Sequence, residues 1–88
     1  MAEDKLRFHI GINIATARKE AGLTQAGLAQ QINYSDNAVS KWERGESTPD
    51  VATLVQLSKL FGISVNDLLK DPDALPEEIS PVSKAIDR

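Results

Sequence analysis

The residues from 23 to 45 contain two short apolar stripes at helical spacing, separated by a polar turn. The members of the two stripes are Leu28, Ala29 and Ile32, followed by Ala38, Val39 and Trp42. Side chains three to four residues apart share one face of a helix, so each stripe predicts a short amphipathic helix. We expect the two helices to pack with their stripes facing each other.

The turn between these helices is Asn33-Tyr34-Ser35. Asparagine tolerates the left-handed conformation that commonly follows the end of a helix. Serine is a favoured N-cap for a helix that begins at the next residue. The sequence therefore predicts a helix, a tight turn and a second helix from about Asp36 to Arg44.

The second helix leaves a row of hydrogen-bonding side chains on its outer face. They are Asp36, Asn37, Ser40, Lys41 and Arg44. The major groove of B-DNA is wide enough to admit an α-helix, and its base edges present donors and acceptors to such side chains. This row is the candidate recognition surface.

Composition excludes several other kinds of site. The 88 residues include no cysteine and one histidine, His9, so disulfides, thiolate metal sites and thiol chemistry are excluded. We find no catalytic triad, phosphate-binding glycine loop or metal-ligand cluster, and we predict neither catalytic residues nor a cofactor. No apolar stretch is long enough for a bilayer span and no signal peptide is evident, so the simplest location is the cytoplasm.

The charge is distributed unevenly along the chain. Ten lysines and arginines stand against 13 acidic residues, but residues 1–44 carry a net charge of +1 and residues 71–88 a net charge of −3. A nearly neutral body with a small basic patch predicts weak non-specific DNA binding.

Residues 4–21 form a further predicted helix. Its stripe consists of Ile10, Ile14, Ala17 and Ala21. Gly22 suits the position after a helix end, whereas an interior glycine such as Gly11 costs about 1 kcal/mol relative to alanine. Gly27, inside the helix that begins at Gln25 after the cap Thr24, has no explanation except the close approach of another backbone.

Two more helices are predicted after Gly45. Thr48 is a plausible N-cap with Pro49 as the first helical residue, and Gly62 closes that helix. Its expected inner face comprises Val51, Leu54, Leu57, Ser58 and Phe61. Ser64 and Asp67 form a capping box that opens a short fifth helix. The prediction is an all-α globule of five helices.

The composition changes after Lys70, so we place the domain at 1–70 and a tail at 71–88. The tail is acidic and contains Pro72, Pro76 and Pro81. It also carries an apolar stripe: Leu75, Ile79, Val82 and Ile86. A disordered acidic tail and a docking arm for a protein partner are equally consistent with this mixed composition.

Four motifs together resemble the phage-repressor, or XRE/Cro-like, helix-turn-helix family. They are LTQAGLA, VSKWERG, P-x-x-x-x-L-x-x-L and GISVNDLL, spread over residues 10–69. The resemblance implies a five-helix, lambda-repressor-like DNA-binding domain that acts as a dimer on palindromic operators.

The resemblance also implies roles for single residues. Gln25 would contact a backbone phosphate and brace the recognition helix, and Arg44 would contact phosphate. Arg18 and Glu43 would form an ion pair, and Trp42 would be buried. The positions expected at phosphates or base edges are Ser35, Asp36, Asn37 and Lys41. Three residues depart from the family pattern, namely Gly27, Asn33 and the acidic Asp36.

Several of these roles have structural alternatives. Asn37 suits adenine in a bidentate contact but also suits a helix start, and Lys41 can donate to guanine or to phosphate. Asp36 is favoured by the dipole at the helix N-terminus and can alternatively accept from cytosine. Arg44 is favoured near the helix C-terminus with or without DNA.

The sequence thus predicts a homodimeric, sequence-specific regulator of transcription, most simply a repressor, that binds double-stranded DNA. The expected dimer surface is Val65, Leu68 and Leu69 with the tail stripe, and with Phe8 and Ile12 as contributors. Two alternatives are an antitoxin whose tail binds a toxin and a protein-interaction module that has lost DNA binding.

Overall fold

A computed structural model describes residues 2–73 of the chain, with side chains from residue 5 onward. This part consists of five helices and contains no strand. The helices are α1 (Ala2–Glu20), α2 (Gln25–Ile32), α3 (Asp36–Glu43), α4 (Val51–Phe61) and α5 (Val65–Leu69). The predicted all-α, five-helix class is confirmed.

The core lies where the stripes of α1 to α4 meet, with one leucine from α5. Its members are Ile10, Ile14, Leu28, Ala29, Ile32, Val39, Trp42, Leu54, Leu57 and Leu68. α1 packs against α3 and α5, α2 packs against α3, and α4 packs against α5. The helices of the described region are too short or too polar to span a bilayer.

The helix-turn-helix geometry is held by local hydrogen bonds, as predicted. The hydroxyl of Thr24 accepts from the backbone N–H of Gly27 at 2.9 Å, and that of Ser35 accepts from Ala38 at 3.1 Å. Asn33 has φ 64°, in the left-handed region, at the end of α2. Each contact spans three residues or fewer, so the turn follows from the local sequence.

Helix α4 begins later than predicted. The expected N-cap Thr48 and first residue Pro49 lie outside the helix, because Asp50 is the N-cap and its carboxylate accepts from the N–H of Thr53 at 2.8 Å. Val51 is consequently the first helical residue and is 76% exposed, so its assignment to the inner face is wrong. Thr53 is buried in its place.

Two further predictions about buried residues are wrong. Ala21 is exposed, because α1 ends at Glu20 and the chain turns at Gly22 before the stripe is complete. Leu68 is fully buried in the monomer core and cannot contact a second subunit, whereas Val65 and Leu69 are partly buried against that core. The tail stripe lies outside the described residues.

Gly11 brings α1 close to the end of α3. A Cβ atom at this position would lie 2.4 Å from the carbonyl oxygen of Trp42 and 2.9 Å from that of Glu43. Real Cβ atoms essentially never approach other atoms to less than 3.0 Å. The interior glycine therefore permits backbone contact between the two helices, and this contact sets the position of α3.

Candidate nucleic-acid interface

Helix α3 is anchored on one side and open on the other. Val39 is completely buried and Trp42 is 4% exposed, whereas Asn37 and Lys41 are exposed and Ser40 is half-buried. Because the buried and exposed residues alternate at helical spacing, packing of the apolar face determines where the polar face points. The predicted ridge of polar side chains is present on the surface of α3.

Tyr34 fixes the turn before α3 from the outside. Its ring meets that of Trp42 edge to face, with centroids 5.1 Å apart and an interplanar angle of 69°. Its hydroxyl shares a hydrogen bond of 3.1 Å with the Thr53 hydroxyl on α4. This role of Tyr34 was not predicted from the sequence, although an aromatic residue within a tight polar turn is a signal that it packs against a neighbour.

A polar cluster holds the C-terminal end of α3. The guanidinium of Arg18 donates to the Glu43 carboxylate at 2.6 and 3.1 Å and to the carbonyl oxygen of Leu23 at 2.8 Å. The Gln25 amide also donates to Glu43, at 2.9 Å. The side chains of Arg18 and Glu43 are only 11% and 9% exposed. The predicted ion pair and the bracing contact of Gln25 are both present, and the cluster ties α1 and α2 to α3.

Arg44 is exposed but already has partners within the chain. Its guanidinium donates to both carboxylate oxygens of Glu46, at 2.8 and 3.2 Å, and also to the hydroxyl of Ser40. The hydrogen bond with Glu46 raises the pKa of Arg44 and lowers that of Glu46. The pairing of Glu46 with Arg44 was not predicted from the sequence, although an acid two residues after an exposed arginine signals such a pair.

The start of α3 borders a surface cleft of about 490 Å³. Ser35 and Asp36 are exposed there, and the Ser35 hydroxyl serves as the helix cap. Gly27 lines this cleft, and the nearest contacts of a Cβ at that position would be the Thr24 hydroxyl at 3.2 Å and the Leu23 side chain at 3.6 Å. No backbone approaches Gly27, so the explanation offered for this glycine from the sequence is wrong.

Among residues 2–73, no group of three or more His, Cys, Asp or Glu side chains could hold a metal ion. His9 is half-buried, and its Nε2 lies 3.8 Å from a carboxylate oxygen of Asp71.

The polar groups of α3 and of the turn before it form the candidate interface. They offer donors and acceptors on the exposed face of a helix whose other face is anchored in the core.

Comparison with known protein families identifies a helix-turn-helix model named HTH_3, which matches residues 14–68. The HTH-type transcriptional regulator ImmR of Bacillus subtilis is 36% identical over 78 residues, and the match covers 88% of this chain and 61% of ImmR. The HTH-type regulator y4dJ of Sinorhizobium fredii is 35% identical, and the match covers 81% of this chain and 92% of y4dJ.

A solved structure of the P22 c2 repressor in complex with a synthetic operator has the same fold. It is 37% identical in sequence, with a TM-score of 0.66, and the match covers 70% of this chain and 94% of the repressor chain. The HTH_3 match over residues 14–68 includes α2, α3 and α4 completely, the C-terminal part of α1 and all of α5 except its last residue.

Proposed function

The chain belongs to the helix-turn-helix family HTH_3, as the XRE/Cro-like motifs predict, and we propose that it is a sequence-specific DNA-binding regulator of transcription, most simply a repressor. Residues 1–70 form the DNA-binding domain in this proposal, and residues 71–88 form a C-terminal tail or docking arm. The regulator would act in the cytoplasm and bind double-stranded DNA as a homodimer.

The exposed polar face of α3 is the observation that carries the proposal. Asn37 and Lys41 lie one helical turn apart on that face, while Val39 and Trp42 hold the opposite face in the core. A helix anchored in this way can enter the major groove without losing its own packing. We propose that Asn37 contacts adenine and that Lys41 contacts guanine or a neighbouring phosphate.

The remaining interface residues support α3 or contact the phosphates. Gln25 and Arg44 lie at the two ends of the recognition unit, and both already hydrogen-bond acidic groups of the chain. For Arg44 to bind a phosphate, the phosphate must replace the exposed carboxylate of Glu46. The helix dipole favours a helix-start role for Asp36, which lies in the first turn of α3 and whose charge would repel phosphate.

Two copies are required for useful affinity. One helix contacts only a few base pairs, and each correct base pair contributes about 1–3 kcal/mol of discrimination. Two domains about 34 Å apart, which is one turn of B-DNA, would bind two half-sites on the same face of the duplex. An operator with two-fold symmetry is therefore expected.

Selection of duplexes from a random pool tests the proposal directly. The selected sequences should contain two related half-sites about one helical turn apart. Lys41→Ala should weaken operator binding by about 1–3 kcal/mol and relax the preference at one base pair, whereas Arg44→Ala should weaken binding to all sequences alike. Lys59→Ala on α4 removes the same charge from an exposed position outside the interface and serves as the control. Unchanged affinity in both interface variants would refute the assignment of α3.

A protein-interaction module without DNA binding is the second candidate. The pairing of Arg44 with Glu46 favours the interaction module, because the Glu46 carboxylate reduces the positive charge that is available to phosphates. Titration of a random duplex at about 10 mM salt separates the two candidates, since electrostatic attraction is strongest there. Absence of binding under that condition would favour the interaction module.

A further inference from the structure

An apolar cleft of about 400 Å³ lies on the side of the molecule where α1 begins and α5 ends. Its apolar lining comprises Leu6, Ile10, Pro49, Leu54 and Leu69. Leu6 is 42% exposed, so a segment that packs over the cleft would bury additional apolar surface. Arg7 also lines the cleft and adds a positive charge to its otherwise mostly apolar lining.

The path of the chain after α5 leads toward this cleft. The Asn13 amide donates to the carbonyl oxygens of Leu68 and Lys70, at 2.9 and 2.8 Å. One turn earlier on α1, His9 lies 3.8 Å from Asp71. The chain therefore runs along α1 toward its N-terminus, and one further turn, about 5.4 Å, reaches the level of Lys5 and Leu6.

The residues that follow have the composition that the cleft requires. Leu75 comes two residues after Asp73, and two extended residues span about 7 Å, which is sufficient for the remaining turn. The apolar stripe from Leu75 to Ile86 is interrupted by the acids Glu77 and Glu78. These acids are opposite in charge to Arg7, which lines the cleft, and to the exposed Lys5, which precedes Leu6 in the chain.

We propose that residues 74–88 dock back onto the cleft of their own chain, with Leu75 and Ile79 as the apolar anchors. A tether of a few residues holds the segment at an effective concentration in the millimolar range, which favours its own cleft over that of a second copy. Docking covers Leu6 and Leu69, the apolar surface that α5 leaves partly exposed. It does not depend on the proposed binding of DNA.

A spin label on the tail tests this docking in the full-length protein. Because the chain has no cysteine, Ser83→Cys provides a single attachment site off the apolar stripe. We expect paramagnetic loss of the amide NMR signals of Leu6, Leu54 and Leu69. The exposed α3 residues Asn37 and Lys41 should keep their signals, which provides an internal reference.

Substitution of the anchors identifies the contact. Leu75→Asp with Ile79→Asp should restore the cleft signals and lower the melting temperature. Ser80→Asp on the same label background adds charge without removing an anchor, so the cleft signals should stay lost in that variant. The dispersion of the amide spectrum reports in the same experiment whether each variant is folded. Cleft signals that persist with the label in place would overturn the proposal.

A mixed sample separates docking within one chain from exchange between chains. Isotope-labelled protein without the spin label is combined with spin-labelled protein of natural isotope abundance. Unchanged cleft signals in the mixture, together with their loss in the singly labelled chain, support docking in the same chain. Loss of the cleft signals in the mixture would assign the cleft to the tail of a second copy and overturn the proposal.

Discussion

Replacement of Gly11 by alanine should destabilise the protein, although alanine is the better helix former in an isolated helix. Gly11 lies in the middle of α1, where alanine would gain about 1 kcal/mol from helix propensity. The added Cβ, however, would lie 2.4 Å from the carbonyl oxygen of Trp42. The helices would have to separate locally by about 0.6 Å to bring this contact to the shortest distance that real Cβ atoms adopt.

The size of the stability loss depends on whether the atoms around the added methyl group can move away from it. Both atoms nearest to the new methyl group are backbone carbonyl oxygens in the last turn of α3, so no side-chain rotation relieves the contact. Overpacking in a close-packed interior usually costs about 1–3 kcal/mol and occasionally more. We take the upper part of that range, subtract the gain in propensity, and expect a net loss of about 2 kcal/mol. For a domain of this size the melting temperature should fall by about 8–16 °C.

Gly27 provides the matched control. It is also a glycine within a helix, but the nearest atoms to its added Cβ would be side-chain atoms at 3.2 and 3.6 Å. The Thr24 hydroxyl, which caps α2, must give by a few tenths of an ångström, and this partly offsets the gain in helix propensity. Gly27→Ala should therefore change the free energy of unfolding by less than about 1 kcal/mol. Urea unfolding followed by fluorescence of the single tryptophan measures both variants. A Gly11→Ala protein as stable as the original would refute the close contact between α1 and α3.

Three further predictions concern acidic groups. Glu43→Gln should lower the free energy of unfolding by about 3 kcal/mol, because the nearly buried Arg18 would lose its counter-ion; an unchanged urea midpoint would contradict this. Glu46→Gln should leave the urea midpoint almost unchanged, because the pair is exposed, but it should tighten duplex binding severalfold because it releases Arg44 for a phosphate. The slope of the logarithm of the binding constant against the logarithm of the salt concentration should steepen by about 0.9. Equal or weaker binding would show that Arg44 does not contact DNA. Hydrogen bonds from Thr53 lower the pKa of Asp50, so the stability that this carboxylate contributes is present above its unfolded pKa and is lost as the pH falls through its folded pKa. Asp50→Asn should therefore flatten the decline in melting temperature below about pH 4, and an identical pH profile would contradict the capping role.

The sequence alone determined the helices whose signals are local. The caps at Thr24, Ser35 and Ser64 and the left-handed residue Asn33 were all predictable, since each acts on backbone groups within a few residues. The apolar stripes likewise predicted which face of α3 is buried, and therefore the polar face that forms the candidate interface. The ion pair of Arg18 with Glu43 was predictable only through the resemblance to a known family, because 25 residues separate its members.

Tertiary structure decided the features that depend on packing between distant segments. Gly11 lowers the stability of an isolated helix, but in the folded chain only a residue without a Cβ fits between α1 and the end of α3. Leu68 could have served a dimer surface as far as its sequence shows, yet the core of the monomer completely buries it. The start of α4 was ambiguous because Thr48, Pro49 and Asp50 all suit a helix N-terminus, and the folded chain uses the Asp50 carboxylate. In each case several local conformations have similar free energies, and contacts between segments far apart in sequence select one of them.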